Sequence, residues 1–272
     1  MNKRFWGRVG YLWILGLALF AVRLLQLRTG FDPDTGLAVP TIYGSVLAKG
    51  IVVWMIAEAV RCLLRVPRTK AGFYEAFETP VKSVPLLAAG SVLLAAGGVL
   101  MVLQALPVRG VAAMAAGVLA VAAGGGLVLL TRQIRQGEPL TAFPLLPAMF
   151  FSVFFLLAIY LPAESDPVLS RFYIPVLAAA LAAVAFSMLA SFLRREGSLR
   201  AFVCAGDMAV FLCLTAAADG VGSPEKLLLF VGCALVLSVF LFLRRDQAAE
   251  ETPAEVPEAA AGESAPGGEA EA

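Results

Sequence analysis

Apolar runs of about 18–23 residues recur eight times along this 272-residue chain, and nothing else in it constrains the fold as strongly. About 20 apolar residues, rising about 1.5 Å each, match the roughly 30 Å hydrocarbon core of a bilayer. The runs are Val9–Leu27, Thr41–Leu63, Val84–Leu103, Val111–Thr131, Ala142–Leu161, Phe172–Leu193, Ala201–Ala218 and Leu227–Leu243. Hydrophobic residues make up 60% of the chain and charged residues 15%, with a mean hydropathy of +0.85. Soluble domains carry about 45–50% apolar and about 25% charged residues. A transmembrane β-barrel would instead show short segments of alternating polarity. The pattern predicts an all-α integral membrane protein with about eight transmembrane helices in residues 1–245, followed by a separate tail over 246–272.

The first run follows Lys3, Arg4 and Arg8, as the apolar stretch of a signal peptide would. Arg23 and Arg28 stand where a small-residue cleavage site belongs, so a retained first helix is expected. Gly- and Pro-containing turns such as FDPDTG, LPVRG, PAESDP and DGVGSPEK separate the runs, because these residues end helices. Short connections predict antiparallel hairpins for the third and fourth runs and for the seventh and eighth.

Basic residues orient this topology. With the N-terminus in the cytoplasm, fifteen of the 21 fall on that side: Lys3, Arg4, Arg8, Arg61, Arg65, Arg68, Lys70, Lys82, Arg132, Arg135, Arg194, Arg195, Arg200, Arg244 and Arg245. Five fall outside, namely Arg23, Arg28, Arg109, Arg171 and Lys226, and Lys49 lies within the second run. Both termini are therefore expected in the cytoplasm. The excess of Arg over Lys and the abundance of Ala and Gly suggest GC-rich coding, and no organellar transit pattern is present, so a bacterial plasma membrane is the expected location.

The tail from Asp246 to Ala272 holds eight acids and no base, a composition that cannot repay chain ordering and predicts disorder. The longest cytoplasmic loop, Arg65–Ser83, would place Phe73, Tyr74 and Phe77 on one face of a short helix. That face is expected to lie on lipid headgroups, or else to dock a partner. Besides the bilayer, the expected partners are other membrane subunits, or a cytoplasmic protein bound through this loop or the acidic tail. A net charge of +1 gives no field for nucleic acid.

There is no histidine, and asparagine occurs only at Asn2. That removes histidine general bases, Ser–His and Cys–His nucleophile pairs and histidine metal sites. Phosphate-loop, dinucleotide and zinc-protease motifs are missing as well. No enzyme activity, cofactor or metal site is predicted. FDPDTG begins like a calcium loop but has Tyr43 where the bidentate Glu belongs, and reads as a turn. Cys62, Cys204, Cys213 and Cys233 lack metal-ligand spacing and read as buried apolar residues.

Three ionisable residues lie well inside apolar runs: Lys49, Glu58 and Asp207. A charge at the bilayer centre costs about 2.5–3.5 kcal/mol on insertion scales, so each needs a partner. Lys49 and Glu58 are nine residues apart, about half a turn after whole turns are removed, and project from opposite faces. Glu58 is expected to bridge to Arg61 at i+3. Lys49 and Asp207 are expected to pair between the second and seventh helices, as a structural clamp or as a proton- or cation-responsive site.

The third and fourth runs are rich in Gly and Ala, with Ala112, Ala116, Ala120 and Gly124 forming a stripe suited to close helix packing. Local unwinding at Gly124–Gly126 would be the alternative use. Pro144 and Pro147 fall in the first turns of the fifth run, where an unpaired donor costs little. Overall, a non-catalytic membrane subunit or scaffold is the expected role. The alternative is a small-solute or ion transporter with a charged site at Lys49 and Asp207. A transporter predicts a central cavity touching Lys49 or Asp207, whereas a scaffold predicts a closed bundle with an exposed apolar groove.

Overall fold

The structure, a computed structural model, describes residues 3–32, 39, 42–68, 70–77, 84–108, 110–136, 141, 143–164 and 172–244. The acidic tail 246–272 and the FDPDTG turn from Pro33 onward lie outside the described residues. The long helices are α1 (Lys3–Thr29), α2 (Ile42–Arg65), α4 (Val84–Val108), α5 (Val111–Gln136), α6 (Leu146–Glu164), α7 (Tyr173–Ser191), α8 (Leu199–Ala216) and α9 (Pro224–Leu243). A one-turn helix, α3 (Phe73–Ala76), lies between α2 and α4. Among the described residues, seven helices are long and apolar enough to cross a membrane. The 24-residue α2, which carries Lys49, Glu58, Arg61 and Arg65, is not among those seven.

Successive neighbours α4, α5, α6, α7, α8 and α9 close into a ring, since α9 packs back against α4. Phe155 of α6 meets Phe230 of α9 edge to face at 5.1 Å and fills the middle of that ring. α1 packs on the outer side of α8 and also touches α9, and α2 lies against α1 and α8. Consequently α8 is enclosed by α1, α2, α7 and α9, and 15 of its 18 residues are buried.

Small residues permit the tightest of these contacts, because lipid tails give helices little hydrophobic reason to associate and van der Waals fit must do it. A Cβ on Gly98 would stand 2.6 Å from the Gly117 carbonyl oxygen, and one on Gly124 would stand 2.6 Å from that of Ser91. The α4–α5 seam is thus close packing, as the small-residue stripe predicts, and α5 runs unbroken through Gly124–Gly126. Buried and half-buried Ser and Thr hydroxyls inside the helices are spent locally. Ser91, Thr131, Ser152, Ser187, Thr215 and Ser238 each donate to the carbonyl four residues earlier. A further bond, from Trp13 Nε1 to Ser238 Oγ at 3.0 Å, joins α1 to α9.

The Arg65–Ser83 segment departs from expectation. Its first part folds against the bundle rather than presenting its rings to lipid. Strand β1 (Lys70–Ala71) pairs antiparallel with β2 (Gly197–Ser198), and Arg200 Nε donates to the Val66 carbonyl at 2.7 Å. Phe73 and Phe77 are buried, and Phe77 meets Phe192 at 5.1 Å, Phe202 at 5.6 Å and Phe240 at 6.0 Å. Edge-to-face packing in an apolar nest is worth more to these rings than a headgroup surface. One end of the bundle is thereby covered by its own loop.

Candidate functional site

Two charged layers bracket the bundle. The first gathers α1, α2 and α8 around the two acids singled out from sequence. Glu58, Arg61 and Cys62 fall on one face of α2 because residues three and four apart are neighbours on a helix. Arg61 Nε donates to Glu58 Oε2 at 2.8 Å and Nη2 donates to Oε1 at 2.5 Å, the i+3 bridge expected. The same Nη2 reaches Asp207 Oδ2 of α8 at 3.2 Å. Arg8 of α1 completes the cluster by donating to Glu58 Oε1 at 2.8 Å and by forming an ion pair with Asp207.

The two guanidiniums and two carboxylates of these ion pairs balance in charge, and Arg244 at the end of α9 also acts electrostatically on Glu58. Glu58 and Asp207 are 7% and 1% exposed, whereas the arginine side chains remain 19% and 28% exposed for Arg8 and Arg61. The acids are therefore buried and the bases reach toward the bundle end, as long cationic side chains do in membranes. Guanidinium forks suit this role because several donors can serve two carboxylates at once.

Lys49 is not part of this site. It lies on an exposed face of α2, and Asp207 is taken by Arg8 and Arg61. The buried face of α2 carries Leu47, Ile51, Glu58 and Cys62. Lys49 is half a turn away from Glu58, so the face that turns Glu58 to α8 turns Lys49 outward. The expected Lys49–Asp207 pair is corrected to an Arg8–Glu58–Arg61–Asp207 cluster. Arg8 was missed because it precedes the first apolar run and reads as an ordinary cytoplasmic charge.

The second layer is at the other end of α1. Arg23 is 0% exposed, and its Nε and Nη2 bond both carboxylate oxygens of Asp219, at 3.1 and 2.7 Å. Its Nη1 donates to Gln26 Oε1 at 2.8 Å, and its guanidinium lies 5.6 Å from the centre of the Tyr173 ring. Gln104 donates to the buried Glu225 at 2.8 Å, linking α4 to α9 at the same end. Neither Arg23 nor Asp219 stands out in the sequence, since both fall near helix ends where charge is ordinary.

Glu58, Cys62 and Asp207 bring their ligand atoms within 4.8 Å of one another, close enough to hold a metal ion. Both carboxylates already receive guanidinium donors, so a cation would have to displace Arg8 and Arg61. The donor set fits a neutral clamp better than a metal centre. A cavity of about 550 Å³ opens at the opposite end, lined by Leu24, Ile159, Asp219, Ser223, Lys226 and Phe230 among others. It touches neither Lys49 nor Asp207.

Compared with models of known protein families, with curated proteins and with solved structures, the chain has no match.

Proposed function

We propose that the chain is a non-catalytic membrane subunit or scaffold, a bundle of eight crossings with both termini in the cytoplasm of a bacterial cell. The observation that carries this reading is the use made of its intramembrane charge. Asp207, the single acid of α8, is 1% exposed, is neutralised by Arg8 and Arg61 and joins three helices. A solute path needs polar groups left available to the solute, and the buried Ser and Thr hydroxyls of α4, α5, α6, α8 and α9 are bonded back to their own helices. Between Asp207 and the distant cavity, Val210, Phe211 and Leu214 of α8 are buried in apolar contact. That arrangement favours a clamp over a transport site. The eighth crossing is α2: Glu58 near its end meets Arg8 near the start of α1, so the two run antiparallel through the same layer.

Purification from native membranes in mild detergent, followed by mass measurement, tests the proposal. A scaffold yields a stoichiometric assembly heavier than the 28.6 kDa chain, and proteoliposomes of the chain alone carry no solute. A lone chain supporting a flux that Asp207→Asn abolishes would overturn it.

A further inference from the structure

The outward face of α2 is apolar except at Ser45 and Lys49, in its first half. Ser45, Val46, Val52, Val53, Ile56 and Val60 lie within about 60° of Lys49 at about 100° per residue, and all are exposed. Val46, Val53 and Ile56 are 56%, 66% and 59% exposed. Beside this stripe, a Cβ on Gly50 would meet nothing within 4 Å.

Depth makes Lys49 unusual. Because α1 and α2 run antiparallel from the Arg8–Glu58 contact, Lys49 lies level with about Leu17 of α1. Helix rise puts it about 13 Å from the Arg8 layer and about 9 Å from the Arg23 layer. The two layers that neutralise charge in this bundle both exclude it, and among the described residues no carboxylate pairs with it. Intramembrane cations are otherwise buried against protein and paired. Lys49 faces outward from a surface with the polarity of lipid.

We propose that this face of α2 is the docking surface for a transmembrane helix of a partner protein carrying one Asp or Glu near mid-span, whose carboxylate pairs with Lys49. Charge complementarity selects that occupant. A second copy of the chain related by a two-fold axis through this face would set Lys49 against Lys49, which is repulsive. A plain apolar helix would leave the ammonium unpaired in hydrocarbon. Close approach is aided by Ser45, a small residue one turn from Lys49 on the same face. The inference rests on the subunit reading and names the partner's chemistry.

Two arms test it. In phosphatidylcholine vesicles, the full chain is labelled with a donor fluorophore and mixed with a synthetic leucine-rich transmembrane peptide holding one central glutamate. Energy transfer should show at least tenfold tighter association than with the all-leucine peptide. Lys49→Met should abolish that preference and Lys49→Arg should retain it; both keep the fold, since the side chain is exposed. Equal binding of the two peptides, or a preference indifferent to Lys49→Met, overturns the proposal. In native membranes, photocrosslinkers at Val53 and Ile56 should capture a single-span or multi-span partner in the wild type, with at least tenfold loss in Lys49→Met. A partner captured instead from Val118 on α5, and unaffected by Lys49→Met, refutes the docking face while leaving the subunit reading standing. No partner captured from any face refutes both.

Discussion

Asp207→Asn should be the most damaging conservative change in the chain, and the reason is charge balance. The wild-type cluster holds two guanidiniums against two carboxylates, with Asp207 1% exposed. Asparagine keeps the shape but leaves Arg8 and Arg61 sharing Glu58, a net positive charge at a buried site. It also loses two charge-assisted contacts, each worth about 1.5–3 kcal/mol. Breaking a buried pair by removing one partner costs about 3–5 kcal/mol. The exposure of both arginine side chains places the expected loss at the lower end, about 3 kcal/mol. Adding Arg8→Met restores neutrality, because Glu58 and Arg61 still pair along α2. The double variant should therefore be more stable than Asp207→Asn alone, with a coupling energy of about 2 kcal/mol, within the range seen for contacting residues. Reversible unfolding in mixed detergent–SDS micelles measures all three. Asp207→Asn within about 0.5 kcal/mol of wild type, or strictly additive variants, would refute the clamp.

Arg23→Met should cost about 3–5 kcal/mol by stranding Asp219, and Asp219→Leu introduced with it should recover at least half, read in the same micelles. Gly117→Val should destabilise by about 1–3 kcal/mol through overpacking, since even a Cβ there would stand 2.8 Å from the Gly98 carbonyl oxygen; detergent thermostability reports it. Phe77→Ala should cost about 3–5 kcal/mol and expose the 66–77 segment to protease, with or without lipid. A headgroup-bound loop would respond to vesicle composition instead.

Hydropathy predicts every long helix, with ends only a few residues from those observed, because crossing length and Gly and Pro punctuation are local properties. The Glu58–Arg61 bridge is legible for the same reason, as an i+3 pair on one helix. The partners of Asp207 are not, since they depend on α1 and α2 both lying against α8, a tertiary fact without a local signal. Half-turn geometry already separates Lys49 from Glu58; what it lacks is which face of α2 meets α8. Arg23 reads as a boundary charge and proves wholly buried. Phe73 and Phe77 suit a membrane surface by spacing, yet Phe192, Phe202 and Phe240 offer them a nest that no window of sequence contains.

A closed bundle without a solute path requires that water not enter around α8, and Cys213 measures this without any engineered residue. It is 1% exposed in the last turn of α8, between Asp207 and Asp219, and Cys233 of α9 is equally buried. Native membranes treated with a charged methanethiosulfonate, then digested for mass spectrometry, should leave both thiols unmodified, whereas SDS-denatured protein should be modified at both. Modification of Cys213 in the folded, membrane-embedded protein would contradict the account and point to a solute path through the bundle.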